Sequence, residues 1–289
     1  MSRAEHSRAV RAALGVDGEL KRLFAQLGSA EHPNGRVLRA YRVARRALRA
    51  SGGLQAGAVA ETLGELRAAM RQVTGETLAA AAAAGAKSAR AQLEAYGVPV
   101  RPTYYATSAA QTAWLATVES QAAAVQAAVA TGAEAELVVG DDTQPGMLNP
   151  SGPTRDGAKW AAVAAQGAWW AWIEASEAGR PGGRRSQDEL LKQAVAAIDE
   201  RTTECCLMAH GQVQGLEEDF ELRGRPRYAD RLQWVPFHWY CRSSVALVRR
   251  ADAEDSLTQE LLEAAVRELR AREAAGRVEI HPSHGRSGR

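Results

Sequence analysis

A chain of 289 residues is long enough for one large or two ordinary domains, and its net charge of +2 is far from the strongly basic balance of a dedicated nucleic-acid binder. Aromatic residues are only 6% and alanine supplies much of the 46% apolar fraction, which favours thin helical contacts over a thick globule. Three cysteines, an odd number, argue against a secreted disulfide framework, and neither a signal peptide nor a membrane span is expected from the polar first 16 residues or the short apolar run over 161–173.

Asp17 precedes Leu20, Leu23, Phe24 and Leu27 at helical spacing and suits an N-cap, with Gly28 as the stop, so a short amphipathic helix is expected. Val37, Tyr41, Ala44 and Leu48 form a second seam that ends at Gly52 and Gly53, and Val59, Leu63, Leu66, Met70 and Val73 form a third. Two antiparallel helices joined at the glycine pair are the economical reading. A further helical segment over 76–96 is nearly all alanine in its middle, which calls for close backbone packing or exposure. After Gly97, Pro99 and Pro102, the seam Leu115, Val118, Ala122, Val125 and Val129 runs to Gly132. Residues 1–132 therefore read as an elongated helical arm.

Turn signals crowd residues 133–153, which read as a linker loop; the Asp141–Asp142 pair lacks a third carboxylate and reads as solvated. A helix opens at Pro153 or Thr154 and carries Trp169, Trp170 and Trp172, expected either as a helix covered on several sides or as an aromatic partner-binding patch. The stretch 179–185 reads as an exposed turn, and Ser186 with Glu189 is a capping-box signal for one or two helical turns. Residues 194–198, 212–214 and 243–248 read as strands of a small sheet. Residues 256–289 close the chain, with Ser256 and Gln259 capping a helix that carries Leu262, Ala265, Val266 and Leu269, followed by a flexible tail. The expected fold is mainly α: a helical N-terminal arm, then a small α+β domain over 154–255 with a short antiparallel sheet.

All three cysteines and two of the six histidines fall within two segments, 199–211 and 234–242. Cys205 or Cys206 with His210, His238 and Cys241 make a set of thiolates and imidazoles that zinc accepts tetrahedrally; the metal candidates taken forward are Cys206, His210, His238 and Cys241. A disulfide from Cys241 to one of the adjacent cysteines would staple the same loop under oxidising conditions. A Cys205 nucleophile with His238 and Asp199 is a third chemistry, weakened by the missing glycine-flanked context. The structural alternative is a clamp: Asp199, Arg201 and Thr202 fix a turn, Arg201 or Arg242 pairs with Asp199, and His238 and Arg242 bridge two strands.

The spacing Asp-x-Arg-Thr, a Cys four residues later, a closing Gly, and then Pro-x-His-x-x-Cys-Arg resembles the C-terminal domain of phage head morphogenesis proteins, the Mu F-like minor head proteins. The matching residues are Asp199, Arg201, Thr202, Cys206, Gly211, Pro236, His238, Cys241 and Arg242. The resemblance covers about residues 150–250. Thr203 and Ser243 stand where that family often has further cysteines, which puts a four-cysteine zinc site out of reach. The resemblance implies a non-enzymatic minor head protein of a tailed phage, made in the host cytoplasm and carried in the virion. Its implied partners are the portal protein and the major capsid or scaffold protein. The clusters Arg42, Arg45, Arg46, Arg49 and Arg223, Arg225, Arg227, Arg231 would then face packaged DNA without sequence preference, or acidic portal surfaces. The competing expectation is a metal-dependent enzyme acting on nucleic acid, with the metal at His210, His238 and Cys241.

Overall fold

The computed structural model describes residues 3–28, 32–51, 54–134, 138, 146–178 and 189–276. It is a mainly helical protein whose N-terminal helical region is followed by a small domain with a three-stranded antiparallel sheet. The helices are α1 (Arg3–Leu27), α2 (Arg36–Ala50), α3 (Ala56–Ala95), α4 (Ser108–Ala130), α5 (Ser151–Ala178), α6 (Glu204–Ala209) and α7 (Ser256–Ala274). The strands are β1 (Leu190–Val195), β2 (Val213–Gly215), β3 (Phe220–Glu221), β4 (Arg231–Leu232) and β5 (Ser244–Arg249). No helix among the described residues is long and apolar enough to cross a membrane.

Two compact units share these elements. One comprises Met1–Asp17, Lys87–Thr103 and Trp172–Arg289, and the other comprises Gly18–Ala86 and Tyr104–Ala171. This grouping cuts across a separate arm over 1–132, because both the first turns of α1 and the last turns of α3 pack with the sheet. The Gly52–Gly53 junction, the Asp141–Asp142 pair, the 179–185 turn and the tail beyond residue 276 lie outside the described residues.

Asp17 does not cap a helix. The buried positions His6, Ala9, Val10, Ala13, Val16, Asp17 and Leu20 keep a three-to-four spacing, so α1 starts fourteen residues earlier, at Arg3, and runs through Asp17. The same argument fuses the Val59–Val73 seam with the alanine-rich segment expected over 76–96. Buried residues recur at Val59, Leu63, Leu66, Met70, Val73, Leu78, Ala81, Ala89 and Leu93, so the phase survives Gly75 and α3 is one helix of 40 residues.

In the all-helical unit, Arg36 at the start of α2 pairs with Glu76, while Val43 further along α2 lines one groove with Thr62 and Leu66. The two helices therefore run antiparallel, as expected. The alanine-rich middle of α3 is used for close backbone packing: a Cβ on Gly85 would lie 1.8 Å from the Ala165 carbonyl oxygen of α5. Tyr41 donates to Gln121 at 2.8 Å and Trp114 donates its indole N–H to the Pro153 carbonyl at 2.7 Å, tying α2 and α5 to α4. On α4 the buried face is set by Trp114 and Ala128, one position before the expected Leu115 and Val129.

In the sheet unit the strand order is β2-β1-β5, antiparallel throughout, with Leu191 opposite Val248 and Lys192 opposite Gln214. Ser186 of the expected capping box lies outside the described residues; beyond Glu189, where helical turns were expected before a strand over 194–198, Leu190–Val195 form the central strand. All six are buried, and two-sided burial of a short run selects a strand over a helical turn. Val10 and Ala13 of α1 pack on Val195 and Ala246, joined by Leu257 and Leu261 of α7. The outer edge of β5 is closed by α3, where Gln92 accepts from Leu247 N–H at 2.7 Å and donates to Val245 O at 3.1 Å, and Tyr96 donates to Leu247 O. The cap of α7 is Asp255, one residue before the expected Ser256, accepting from Thr258 N–H at 2.8 Å.

Candidate functional site

The site lies wholly in the sheet unit and is built where the chain leaves β1. From Ala196 the backbone turns, makes the short helix α6, and returns through Gly211, whose N–H donates to Ala194 O at 2.8 Å. Gly211 has φ +85°, and a Cβ there would meet Leu262 Cγ at 2.8 Å, so both conformation and space require glycine.

Asp199 organises the turn. Its carboxylate accepts from Arg201 N–H at 3.0 Å and from the Thr202 hydroxyl, and the Thr202 hydroxyl in turn accepts from Asp199 N–H. Arg242 grips both carboxylate oxygens, at 2.7 and 2.8 Å, and its other terminal nitrogen reaches Asp17 Oδ2 of α1 at 3.4 Å. Burial works to raise the Asp199 carboxyl, but the hydrogen bonds and charge of Arg242, with Arg201 N–H and Thr202, outweigh it and leave the group below its ordinary value. The clamp partner of Asp199 is thus Arg242; Arg201 contributes its backbone, and its side chain is exposed. From α7, Arg272 donates to the carbonyls of Asp199 and Thr202.

Beside this clamp sit the sulfurs. Cys206 Sγ lies 3.1 Å from His238 Nε2 and 3.7 Å from Cys241 Sγ, and Thr203 Oγ1 is 2.9 Å from the same imidazole nitrogen. Cys205, Cys206 and His238 place their candidate ligand atoms within 4.8 Å of one another, all buried, so this cluster could hold a metal ion. His238 Nδ1 faces the Trp239 carbonyl, which fixes the proton on Nδ1 and leaves Nε2 as a lone pair directed at the sulfurs. Cys205 donates to Pro226 O at 2.6 Å. Its hydrogen bond with Cys205, together with burial, pushes the Cys206 thiol up to about 12, and burial raises Cys241. Thiolates at Cys206 and Cys241 are therefore disfavoured, whereas hydrogen bonds with Cys206 and Thr203 outweigh burial and leave the Cys205 thiol below its ordinary value. No Cys205–His238–Asp199 nucleophile is assembled, because Asp199 is bound to Arg242. The void lined by Asp17, Thr203, Cys206, His238, Arg242 and Ser243 measures about 10 Å³, room for a single water or ion.

His210 is not part of the cluster. Its Nδ1 accepts the Ala196 N–H at 2.9 Å, closing the end of β1, and burial lowers the imidazole to about 4, so it stays neutral. Of the expected ligand set Cys206, His210, His238 and Cys241, the cluster keeps Cys206 and His238, Cys205 stands in place of His210, and Cys241 adjoins it with its Sγ 3.7 Å from Cys206 Sγ. The physical reason is the six-residue helix α6: Cys205 and Cys206 sit within it, whereas His210 is its C-cap and points back at the strand. His238 and Arg242 do not bridge two strands; they link the 238–242 segment to the turn and helix that follow β1. Pro236 follows a cis peptide bond and is buried.

Of the tryptophans, Trp169 is only 3% exposed and Ile173 is fully buried, so Trp169 is a core residue with no face left for a partner, while Trp170 and Trp172 are half-buried. Residue spacing gave no sign of Lys192. On the central strand it is fully buried, donates to Leu216 O at 2.9 Å and Gln233 O at 2.8 Å, and lies 4.0 Å over the Trp234 ring. Burial lowers its amine to about 8. A polar pair, Lys192–Gln193, inside an otherwise apolar run was the available signal.

No protein-family model, curated protein or solved structure matched the chain in three comparisons.

Proposed function

We propose that this protein is a non-catalytic assembly protein, a minor head protein of a tailed phage that binds the portal and the head interior and assists head assembly or genome packaging. One observation carries the reading. Six of the nine residues on which the resemblance to Mu F-like minor head proteins rests fall into two contact sets, Asp199 with Thr202 and Arg242 and Cys206 with His238 and Cys241, and Thr202, Cys206, His238 and Arg242 line one void of about 10 Å³ between them. A space of that size admits no substrate, whereas a clasp that joins α1, the β1 turn and the 234–242 segment gives a small domain rigidity for docking. In this reading the portal protein and the major capsid or scaffold protein are the partners, packaged DNA is met without sequence preference, and the chain resides in the virion after assembly in the host cytoplasm. Zinc in the clasp would be a structural ion.

The test is coexpression with the portal protein of the same phage or prophage. Copurification with the portal ring, lost when the clasp is opened by Arg242→Ala, supports the reading. A folded monomer with no affinity for portal, capsid or scaffold protein overturns it. The alternative, a metal-dependent enzyme acting on nucleic acid, needs His210 beside His238 and Cys241. The bond from Ala196 N–H to His210 disfavours it, and cleavage of plasmid DNA by metal-loaded protein would restore it.

A further inference from the structure

We propose that Cys205, Cys206, Cys241 and His238 bind one thiophilic cation of the zinc class, which staples the helix after β1 to the 238–241 segment. The inference rests on the clasp reading for the ion's structural role alone; the ion itself is detected without any partner.

The distances carry the argument. A tetrahedral zinc with Zn–S near 2.3 Å and Zn–N near 2.0 Å sets ligand-to-ligand edges of about 3.8 Å between sulfurs and about 3.5 Å between sulfur and nitrogen. Cys206 and Cys241 are 3.7 Å apart, already at the sulfur–sulfur edge, and Cys206 to His238 Nε2 is 3.1 Å, a few tenths short of the other. Cys205 lies within 4.8 Å of both Cys206 and His238, while Cys241 stands outside that group and reaches it through Cys206. The His238 tautomer is the ligating one: Nδ1 faces the Trp239 carbonyl, and Nε2 offers its lone pair to the space beside Cys206. That carbonyl is the outer partner a metal-bound imidazole needs.

The donor set selects the ion. Three sulfurs and one imidazole suit zinc or a similarly soft cation, and neither nearby carboxylate is available to a hard one, because Asp17 and Asp199 are both engaged by Arg242. All four candidate ligands are buried, and the adjoining void of about 10 Å³, lined by Cys206 and His238, has room for one ion, which suits a structural centre. Cys205 must release Pro226 O to ligate, so it is the weakest of the four. Binding displaces the thiol protons to solvent, and the ion takes their place between segments separated by 35 positions.

The experiment is metal analysis of the full chain purified under reducing conditions, followed by chelation and reconstitution with zinc or cobalt(II). One metal ion per chain, thiolate-to-cobalt charge-transfer absorption with tetrahedral d–d bands, and a lower melting temperature after chelation are expected. Cys206→Ser and Cys241→Ser should abolish the cobalt spectrum, Cys205→Ser should weaken affinity, and His210→Gln should leave the spectrum unchanged. Circular dichroism identifies any variant that is unfolded, and the wild-type spectrum decides by itself whether an ion binds. The proposal is overturned if reduced, folded wild type takes up neither metal, if the cobalt spectrum survives Cys206→Ser, or if thiol titration of unreduced protein finds Cys206 and Cys241 joined as a disulfide with no metal bound. Portal copurification is a separate readout, so failure here and failure of the assembly reading are distinguishable.

Discussion

Arg242 and Asp17 are 225 positions apart, yet the Arg242 guanidinium donates to Asp17 Oδ2 at 3.4 Å, with both side chains 10% exposed. The same guanidinium holds Asp199 through two bonds, so one cation serves two carboxylates from different ends of the chain. Its removal takes this shared countercharge from both. Arg242→Ala is expected to destabilise the protein by about 3–5 kcal/mol, and Arg242→Lys by less, since a lysine restores the charge but not the paired geometry. Urea unfolding of the two variants measures this. Equal stability of Arg242→Ala and wild type would show that the clamp contributes nothing.

His210 makes stability depend on pH. Its folded imidazole is lowered to about 4 from an ordinary 6.5, so between these values the unfolded chain binds a proton that the native chain does not. Stability is therefore full above about pH 6.5, falls as the pH drops through the window, and levels off below about pH 4, a total on the order of 3 kcal/mol. His210→Asn keeps an acceptor for Ala196 N–H without titrating, and its unfolding free energy should vary less over the same window.

Lys192 anchors the 212–233 loop to the central strand through two carbonyls, at Leu216 and Gln233. Lys192→Met keeps the buried stem but leaves both oxygens without a donor, with an expected cost of about 2 kcal/mol or more. Hydrogen exchange should show loss of protection concentrated in that loop; uniform loss across the protein would contradict the assignment.

Gly211→Ala meets two obstacles, a φ of +85° and a contact of 2.8 Å with Leu262. A destabilisation above about 1 kcal/mol is expected, seen as a lower melting temperature. Gly75→Ala, in the interior of α3 with only Gln111 Nε2 at 3.5 Å, is expected to be neutral or stabilising by a few tenths of a kcal/mol, which makes it the internal control.

Gly85→Ala should be worse than either. Its new methyl group would occupy the position of the Ala165 carbonyl, 1.8 Å away, so α3 and α5 must separate for it to fit. Loss of cooperative unfolding is the outcome that checks this.

Residue order alone determined the fold class, the seams of α2 and of the first half of α3, and two of the three strands of the main sheet, because burial periodicity along a helix or strand is a local property. It also marked Asp199, Thr202, Cys206, His238, Cys241 and Arg242 as belonging together. It could not see that α1 passes through Asp17, since an acidic residue before a leucine seam looks like a cap until a cation from residue 242 is placed beside it. Nor could it assign His210 or Cys205. Spacing placed His210 in the ligand set and offered Cys205 only as an alternative to Cys206, and the six-residue length of α6 turned Cys205 toward His238 and His210 back toward the end of β1. Long-range partners such as Arg242 for Asp17, Arg272 for the Asp199 carbonyl and Gln92 for the edge of β5 were decided by the tertiary structure alone, because each pairs groups more than 70 positions apart whose meeting depends on packing and not on local pattern.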